Sequence, residues 1–206
     1  MPRSQGRRLA PEARRDQIID IGAKLFATRP YEQVRMTDIA AVAGISRALV
    51  YRYFPTKRDL FAAIYQRAAD QLLKASELRP NTPLAEQVLA GLEAHFDFFA
   101  ENARTVLVAN RGALAGDPMI EGIISNELAE LRGRMLDATG LLGHARARAG
   151  IALYGWLAFV RAVCVEWLAH PDPILSREEV RDMCMSALTS ALAKPGGTAT
   201  KLKPLP

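Results

Sequence analysis

The residues best suited to chemistry with another molecule lie in one short stretch, GISRALVYRYFPTK, at positions 44–57. It contains two arginines, two tyrosines and one lysine, and no aspartate or glutamate. A solvated helix face usually mixes acidic and basic side chains, so an acid-free face is suited to a polyanion. Arginine forms paired hydrogen bonds to guanine edges, and tyrosine hydroxyls can reach phosphates. The alternative is that both tyrosines pack on neighbouring helices as core residues.

The residues around this stretch predict two short crossed helices. A helix over 38–43, with Val42 facing inward, ends at Gly44, which adopts a positive φ at little cost. Ser46 is placed to cap a second helix over 46–54. A short helix, a glycine turn and a capped second helix form the pattern of a helix-turn-helix.

The second helix divides into an inner and an outer side. Val50 and Phe54 are four residues apart, so both face inward. The other side and its flanks carry Arg47, Ala48, Leu49, Tyr51, Arg52 and Tyr53. Small and apolar side chains allow close approach to bases and contact thymine methyls. We therefore expect a site with a thymine methyl beside a guanine read by Arg47.

The charge of the chain is distributed unevenly. Residues 1–74 contain fourteen Lys/Arg and seven Asp/Glu, a balance of +7, and residues 75–206 contain thirteen and fifteen, a balance of −2. The chain has 206 residues and is half apolar, enough to fill a sizeable core. This distribution predicts a polyanion-binding head joined to a nearly neutral body.

Almost every periodic segment has helical spacing, and none shows sustained alternation of apolar and polar residues. The pattern predicts an all-α protein of about nine helices, with short helices first and long ones later. The expected helices cover residues 11–28, 38–43, 46–54, 57–78, 83–101, 103–114, 118–141, 145–169 and 177–193.

Several other classes of protein are disfavoured by the sequence. Cys164 and Cys184 have neither disulfide-framework nor zinc-site spacing, and no motif of a hydrolase, P-loop or dinucleotide-binding enzyme occurs. The basic N-terminus lacks the apolar run of a secretory signal, and the uncharged stretch 149–160 is too short to span a membrane. We expect a cytoplasmic protein that is not an enzyme and has no metal or cofactor. A helical enzyme remains a minor alternative.

The run over 18–60, IGAKLFATRPYEQVRMTDIAAVAGISRALVYRYFPTKRDL in its main part, resembles the DNA-binding domain of TetR-type transcriptional regulators. The matching residues are Phe26, Tyr31, Ile39, Ala40, Ala43, Gly44, Ile45, Ser46, Tyr51, Phe54, Lys57 and Leu60. The resemblance covers about a quarter of the chain. Arg35 departs from the usual small cap, Pro30 from a common glycine, and Tyr53 from a frequent histidine.

The resemblance implies roles for individual residues. Base reading falls to Arg47, Ala48 and Leu49, and phosphate contact to Tyr51, Tyr53 and Lys57. The full expected DNA-binding set is Arg35, Thr37, Ser46, Arg47, Ala48, Leu49, Tyr51, Arg52, Tyr53 and Lys57. The implied divisions are a flexible basic arm over 1–10, the helix-turn-helix domain over 11–56, a ligand-binding and dimerisation domain over 57–194, and a flexible tail over 195–206.

For the body, the resemblance implies a homodimer that binds a palindromic operator and is released by a small effector, most simply as a repressor. The helices over 145–169 and 177–193 are the expected dimer surface. Candidate ligand-binding residues are His95, Phe96, Phe99, Arg111, Tyr154, Trp156 and Phe159. For each aromatic taken alone, a place in the ordinary core is favoured over a place in the pocket lining. An apolar cavity would take a hydrophobic effector, whereas an architectural DNA-binding protein would need no effector.

Overall fold

The computed structural model describes residues 9–77, 82–170 and 175–193. Within them the chain forms nine α-helices and one turn of 3-10 helix, Tyr31–Gln33, and it has no strand. The helices are α1 Pro11–Thr28, α2 Met36–Ala43, α3 Arg47–Tyr53, α4 Lys57–Ala75, α5 Leu84–Glu101, α6 Ala103–Asn110, α7 Pro118–Thr139, α8 Gly143–Ala169 and α9 Arg177–Leu192. The predicted all-α fold is confirmed. Most of the predicted arm and the whole of the predicted tail lie outside the described residues.

Local capping explains where several helices begin. Ser46, Thr56 and Ser176 each accept a hydrogen bond from the backbone N–H three residues on, and Asp117 caps α7 in the same way. The carboxylate of Asp59 also accepts from the backbone N–H of Thr56, at 2.9 Å. These bonds satisfy donors that a helix start leaves unpaired, so the serine and threonine positions fix the boundaries.

Helices α1–α4 enclose the first hydrophobic cluster. Ile39, Val50, Phe54 and Phe61 are buried in it, and residues from α7 complete it. Gly22 on α1 permits close packing, since a Cβ there would lie 2.9 Å from Ile64 of α4. Val42 is exposed, contrary to expectation, because the inner face of α2 is made by Met36, Ile39, Ala40 and Ala43.

The second cluster lies between α4, α5, α6, α8 and α9. The two clusters meet along α4, where Ala69 belongs to the first and Leu72 to the second. The core of the head therefore extends past residue 56 into the fourth helix. Helix α6 ends at Asn110, four residues before the predicted end, and a turn follows in which Leu114 N–H bonds to Val108 O at 3.2 Å.

Helix α8 runs through the centre of the body. Among the described helices it alone is long and apolar enough to cross a membrane by length and composition. It packs instead against α5, α6, α7 and α9, and its inner side includes the buried Arg161. The apolar residues of α8 thus form two sides, one buried in the core and one exposed on the surface of the chain.

Candidate nucleic-acid interface and internal cavity

Helix α3 is positioned by the turn that precedes it. Gly44 adopts φ 65°, a left-handed conformation that favours glycine, and Ile45 N–H bonds to Ala40 O at 3.1 Å. Ser46 Oγ then accepts from Leu49 N–H at 3.2 Å. With Val50 and Phe54 buried beneath it, the helix presents a fixed outer face.

The outer face of α3 carries two arginines that have no carboxylate partner among the described residues. The guanidinium of Arg47 lies 5.1 Å from the ring centroid of Tyr51, and that of Arg52 lies 5.8 Å from Tyr53. Both tyrosines are half-buried, and Ala48 between the arginines is exposed. Each cation is held by a ring while its N–H donors remain free for a partner.

Lys57, at the start of α4, has a definite place in the fold. Its ammonium donates to Tyr31 O at 2.8 Å and lies 4.2 Å from the centroid of the Tyr31 ring. An ammonium has three N–H donors, so two remain for a phosphate. Lys57 therefore holds Tyr31, in the connection between α1 and α2, against the start of α4, and it also places a positive charge at the candidate interface.

At the start of α2, Arg35 takes the capping position and Thr37 lies within the helix, exposed. The carboxylate of Asp38 accepts from the Arg35 backbone N–H at 3.4 Å and pairs with Arg29 at 3.5 Å. Thr37 is the second residue of α2 and therefore does not cap it. The cap is completed by Asp38, which leaves the side chain of Arg35 in solvent.

The body contains an inner cavity and a larger outer pocket. The inner cavity has a volume of about 50 Å³, and the outer pocket one of about 660 Å³. Val88 of α5 and Met135 of α7 line both. The inner cavity is otherwise lined mainly by apolar side chains, together with Ser76, Gln87 and His95. The outer pocket lies between α5, α7, α8 and α9, and its lining is mostly Ala, Leu and Met.

Of the predicted ligand-binding residues, His95 and Trp156 line the inner cavity. Trp156 Nε1 donates to Cys184 O at 2.7 Å, which fixes the indole and joins α8 to α9. Phe96 and Phe99 are buried in the second cluster, where Phe99 packs on His95 with ring centroids 4.4 Å apart. Phe99 therefore supports the cavity wall behind His95, whereas Phe96 packs edge-on against Trp167 with ring centroids 6.0 Å apart.

The other three predicted ligand-binding residues lie outside this cavity. Tyr154 is 60% exposed and Phe159 37% exposed on the outer side of α8, and Arg111 pairs with the exposed Glu166. Residues on a helix are rotated by about 100° each, so Tyr154 faces away from Trp156, two positions later. The sequence did not show which side of this apolar helix faces inward.

A buried polar cluster lies beside the inner cavity, formed by Tyr65 of α4, His95 of α5, Asn110 of α6, Glu127 of α7 and Arg161 of α8. The guanidinium of Arg161 donates to Tyr65 Oη at 2.5 Å and to Asn110 Oδ1 at 3.2 Å. Its Nη1 lies 3.7 Å from Glu127 Oε2. Five consecutive helices therefore each contribute one polar side chain.

Sequence reasoning missed most of this cluster. Glu127 lies on the same helical face as Ile120 and Ile123, and a glutamate on an apolar stripe is the signal that could have revealed it. Burial raises the pKa of Glu127, and the positive charge of Arg161 opposes that rise. Burial, followed by the nearby Arg161, lowers the pKa of His95 to about 3, so its imidazole is neutral at pH 7.

The two cysteines have no reactive setting. Cys164 and Cys184 are buried and free, and burial raises their pKa to about 12 and about 11. A thiol that stays protonated is a poor nucleophile and metal ligand. Among the described residues, no cluster of His, Cys, Asp and Glu is suited to a metal ion.

Comparisons with known proteins agree with this geometry. Residues 18–64 match the family described as bacterial regulatory proteins, tetR family. The HTH-type transcriptional activator FasR of Mycolicibacterium smegmatis is 26% identical over 176 residues, which are 82% of this chain and 79% of FasR.

Two solved structures share the whole fold. A tetR-family transcriptional regulator from Streptomyces coelicolor superposes with a TM-score of 0.74 at 26% identity, over 89% of this chain and 80% of that one. FadR from Bacillus subtilis, solved in complex with stearoyl-CoA, superposes with a TM-score of 0.64 at 18% identity, over 86% and 97%.

Proposed function

We propose that this chain, a member of the TetR family of bacterial transcriptional regulators, acts as a homodimer that binds an inverted-repeat operator through α3. The relatives and the fold are those of DNA-binding regulators and not of enzymes. The observation that carries the proposal is the outer face of α3, on which Arg47 and Arg52 are exposed and have no carboxylate partner among the residues that the structure describes.

In this proposal, the ends and flanks of α3 fix its place on the duplex. Arg47, Ala48 and Leu49 read base edges near the helix start, where a recognition helix enters the major groove. Tyr51, Tyr53 and Lys57 contact phosphates, which position the helix without selecting sequence. The exposed side chains of Arg35 and Thr37, at the start of α2, lie in the same head and add backbone contacts.

A second copy of the chain is the proposed occupant of the outer face of α8. That face exposes Ile151, which is 77% accessible, together with Tyr154 and Phe159, and small residues at Gly155 and Ala158 lie between them. Small residues allow two helices to approach closely, and a twofold axis there would place α8 and α9 of both copies in one four-helix interface. One short recognition helix reads few base pairs, so a dimer is also required for specificity.

The outer pocket supports an apolar effector. Its volume of about 660 Å³ lies within the usual range for small-molecule sites, and its lining is dominated by apolar side chains. FadR from Bacillus subtilis, of the same fold, was solved with stearoyl-CoA, which carries a long acyl chain. We propose that an elongated apolar molecule binds between α5, α7, α8 and α9.

A ligand changes DNA affinity only if it binds one arrangement of the two heads better than the other. A series of side-chain contacts runs from Arg161, in the buried polar cluster, to Lys57 at the interface. Arg161 bonds to Tyr65, whose ring stacks on Phe61 at 6.4 Å; Phe61 packs edge-on against Tyr31 at 5.5 Å, and Tyr31 holds Lys57. A shift of α8 around a ligand would therefore reach the residues that contact DNA.

We propose that the dimer represses transcription in the cytoplasm and that the effector releases it from the operator. A reporter gene under the selected operator tests the direction of regulation. Deleting the regulator should raise expression, and adding the effector should do the same. Lower expression on deletion would instead match the activator role in the name of FasR.

Selection of bound sequences from a random duplex pool tests the central proposal. The purified protein should enrich an inverted repeat, occupy it as a dimer in light scattering, and lose affinity steeply as salt rises. Binding with steep salt dependence but no enriched sequence would support the architectural alternative. Enrichment of a single half-site by a monomeric protein would contradict the proposed homodimer.

A further inference from the structure

Three buried polar atoms have no hydrogen-bond partner among the described residues, and all three belong to the buried polar cluster. They are His95 Nε2, Glu127 Oε1 and Arg161 Nη1. The three side chains are 7%, 2% and 7% exposed. Buried polar groups in proteins are nearly always paired, because leaving one unpaired is costly. A cluster of three unpaired atoms therefore points to a partner that the described residues do not supply.

The inner cavity places such a partner within reach. His95 is part of its wall, together with Leu131, one turn after Glu127 on α7, and Val160, adjacent to Arg161 on α8. The rest of the wall around His95 is apolar, including Leu92 and Trp156. A molecule in this cavity would meet apolar side chains on most sides, together with His95, the member of the buried polar cluster that lines the cavity.

The charges of the cluster restrict what that end can bind. Arg161 and Glu127 form an ion pair, and the imidazole of His95 is neutral because burial lowers its pKa. A carboxylate, phosphate or ammonium would enter without a free counter-charge, which is strongly unfavourable in a buried site. An uncharged group that donates or accepts a hydrogen bond can pair with His95 Nε2, because a nitrogen of a neutral imidazole is a donor in one tautomer and an acceptor in the other.

The volumes of the inner cavity and the outer pocket restrict the size of the molecule that could bind there. The inner cavity, at about 50 Å³, admits only the end of a molecule, since one water needs about 10–15 Å³ of such cavity volume. The outer pocket, at about 660 Å³, has room for the remainder. Val88 and Met135 line both spaces, so an elongated molecule can lie across them.

We propose that the inner cavity binds the uncharged hydroxyl or carbonyl end of an otherwise apolar ligand, with His95 as its contact and the apolar part in the outer pocket. This inference rests on the proposed effector-binding role of the body and adds the chemical class of the effector. It also distinguishes this site from one that receives only the methyl end of an alkyl chain.

Titration with molecules of equal length tests the proposal. The probes are 1-octanol, 2-octanone, 1-chlorooctane, octanoate and octylammonium. The signal is the change in tryptophan fluorescence, to which Trp167 contributes as well as Trp156 of the cavity wall. 1-Octanol and 2-octanone should bind about tenfold more tightly than the other three probes. 1-Chlorooctane lacks the buried hydrogen bond, and octanoate and octylammonium would each bury a charge without a partner.

Substitutions of His95 assign the preference to this residue. His95→Leu should remove the preference for 1-octanol over 1-chlorooctane, and His95→Gln, which keeps a hydrogen-bonding group, should retain part of it. His170→Leu is the matched control, because His170 is exposed at the end of α8 and pairs with Glu166. It should leave every affinity unchanged.

Tighter binding of octanoate than of 1-octanol would overturn the proposal, as would an unchanged ratio of 1-octanol to 1-chlorooctane in His95→Leu. Failure of all five probes to bind the wild-type protein would overturn it as well. Operator binding, measured on the same preparation without probe, decides the proposed DNA-binding function separately.

Discussion

Arg47 and Arg52 on α3 and Arg161 on α8 are the same side chain in opposite environments. The first two are exposed, have no carboxylate partner among the described residues and each lie over a tyrosine ring. Arg161 is buried, bonds to Tyr65 and Asn110, and pairs with Glu127. An exposed arginine contributes little to folding stability, so its side chain is free to bind a partner. A buried arginine contributes to folding stability, because removing it leaves a buried carboxylate without its counter-charge.

The sharpest test of this contrast is Arg161→Met. It should lower the free energy of unfolding by about 3–5 kcal/mol, because Glu127 stays buried without its counter-charge. Urea denaturation followed by circular dichroism at fixed protein concentration measures the change. Arg111→Met, which breaks an exposed pair, is the control and should cost less than about 1 kcal/mol.

The double variant Arg161→Met/Glu127→Leu separates charge from packing. If the stranded carboxylate causes the loss, the second substitution should restore most of the stability. A double variant as unstable as Arg161→Met would show that the guanidinium contributes mainly through Tyr65, Asn110 and packing on Phe99.

The pH dependence of stability tests the neutral state of His95. Its pKa is about 3 in the folded protein and about 6.5 unfolded, so the unfolded chain binds more protons below pH 6.5. Folding stability therefore falls as pH falls through 6.5, by about 2 kcal/mol between pH 7 and pH 5 from this residue alone.

Replacing the histidine should remove that component. His95→Leu should flatten the stability curve between pH 7 and pH 5, whereas His170→Leu, at an exposed position, should keep the wild-type slope. Equal slopes in wild type and His95→Leu would mean that burial does not lower the pKa of His95.

Arg47→Ala tests the exposed side of the comparison. Operator affinity should fall about tenfold with loss of preference at one base pair, because a guanine contact is removed. Stability should not change. Fluorescence anisotropy with the selected operator and single-base variants measures both affinity and preference.

Tyr53→Phe tests the proposed phosphate contact. It should lower the affinity for all DNA duplexes by about the same factor. It is a cleaner probe than a change at Lys57, whose ammonium also holds Tyr31 and so contributes to the fold of the head. A sequence-selective effect of Tyr53→Phe would instead assign that tyrosine to base reading.

The smallest expected effect concerns the cap of α3. Ser46→Ala should cost about 1 kcal/mol of stability, because Leu49 N–H loses its acceptor. Ser46→Asp keeps an acceptor there, so stability should be retained, but it adds an acid to the acid-free face and should weaken operator binding. Unchanged binding by Ser46→Asp would place this end of α3 away from the DNA backbone.

Most helix boundaries were predictable because their signals are local. Glycine at a positive φ and Ser or Thr at helix starts act within one turn of chain, so Gly44, Ser46 and Ser176 fixed their boundaries. The end of α6 was predicted four residues too late, since the turn after Asn110 depends on local backbone bonds that the apolar pattern does not reveal.

The candidate cavity was predicted only in part. His95 and Trp156 line it, whereas Tyr154, Phe159 and Arg111 lie on the surface. Helix α8 is apolar around most of its circumference, so its sequence does not distinguish the side facing the core from the side left uncovered.

The sequence alone determined the acid-free helix, its cap, and the charge difference between head and body, because these depend on residue types and spacings of a few positions. Only the tertiary structure brought Tyr65, His95, Asn110, Glu127 and Arg161 together from five helices. A helical period specifies which residues share a face, but the partner of that face depends on contacts between residues as many as 96 positions apart.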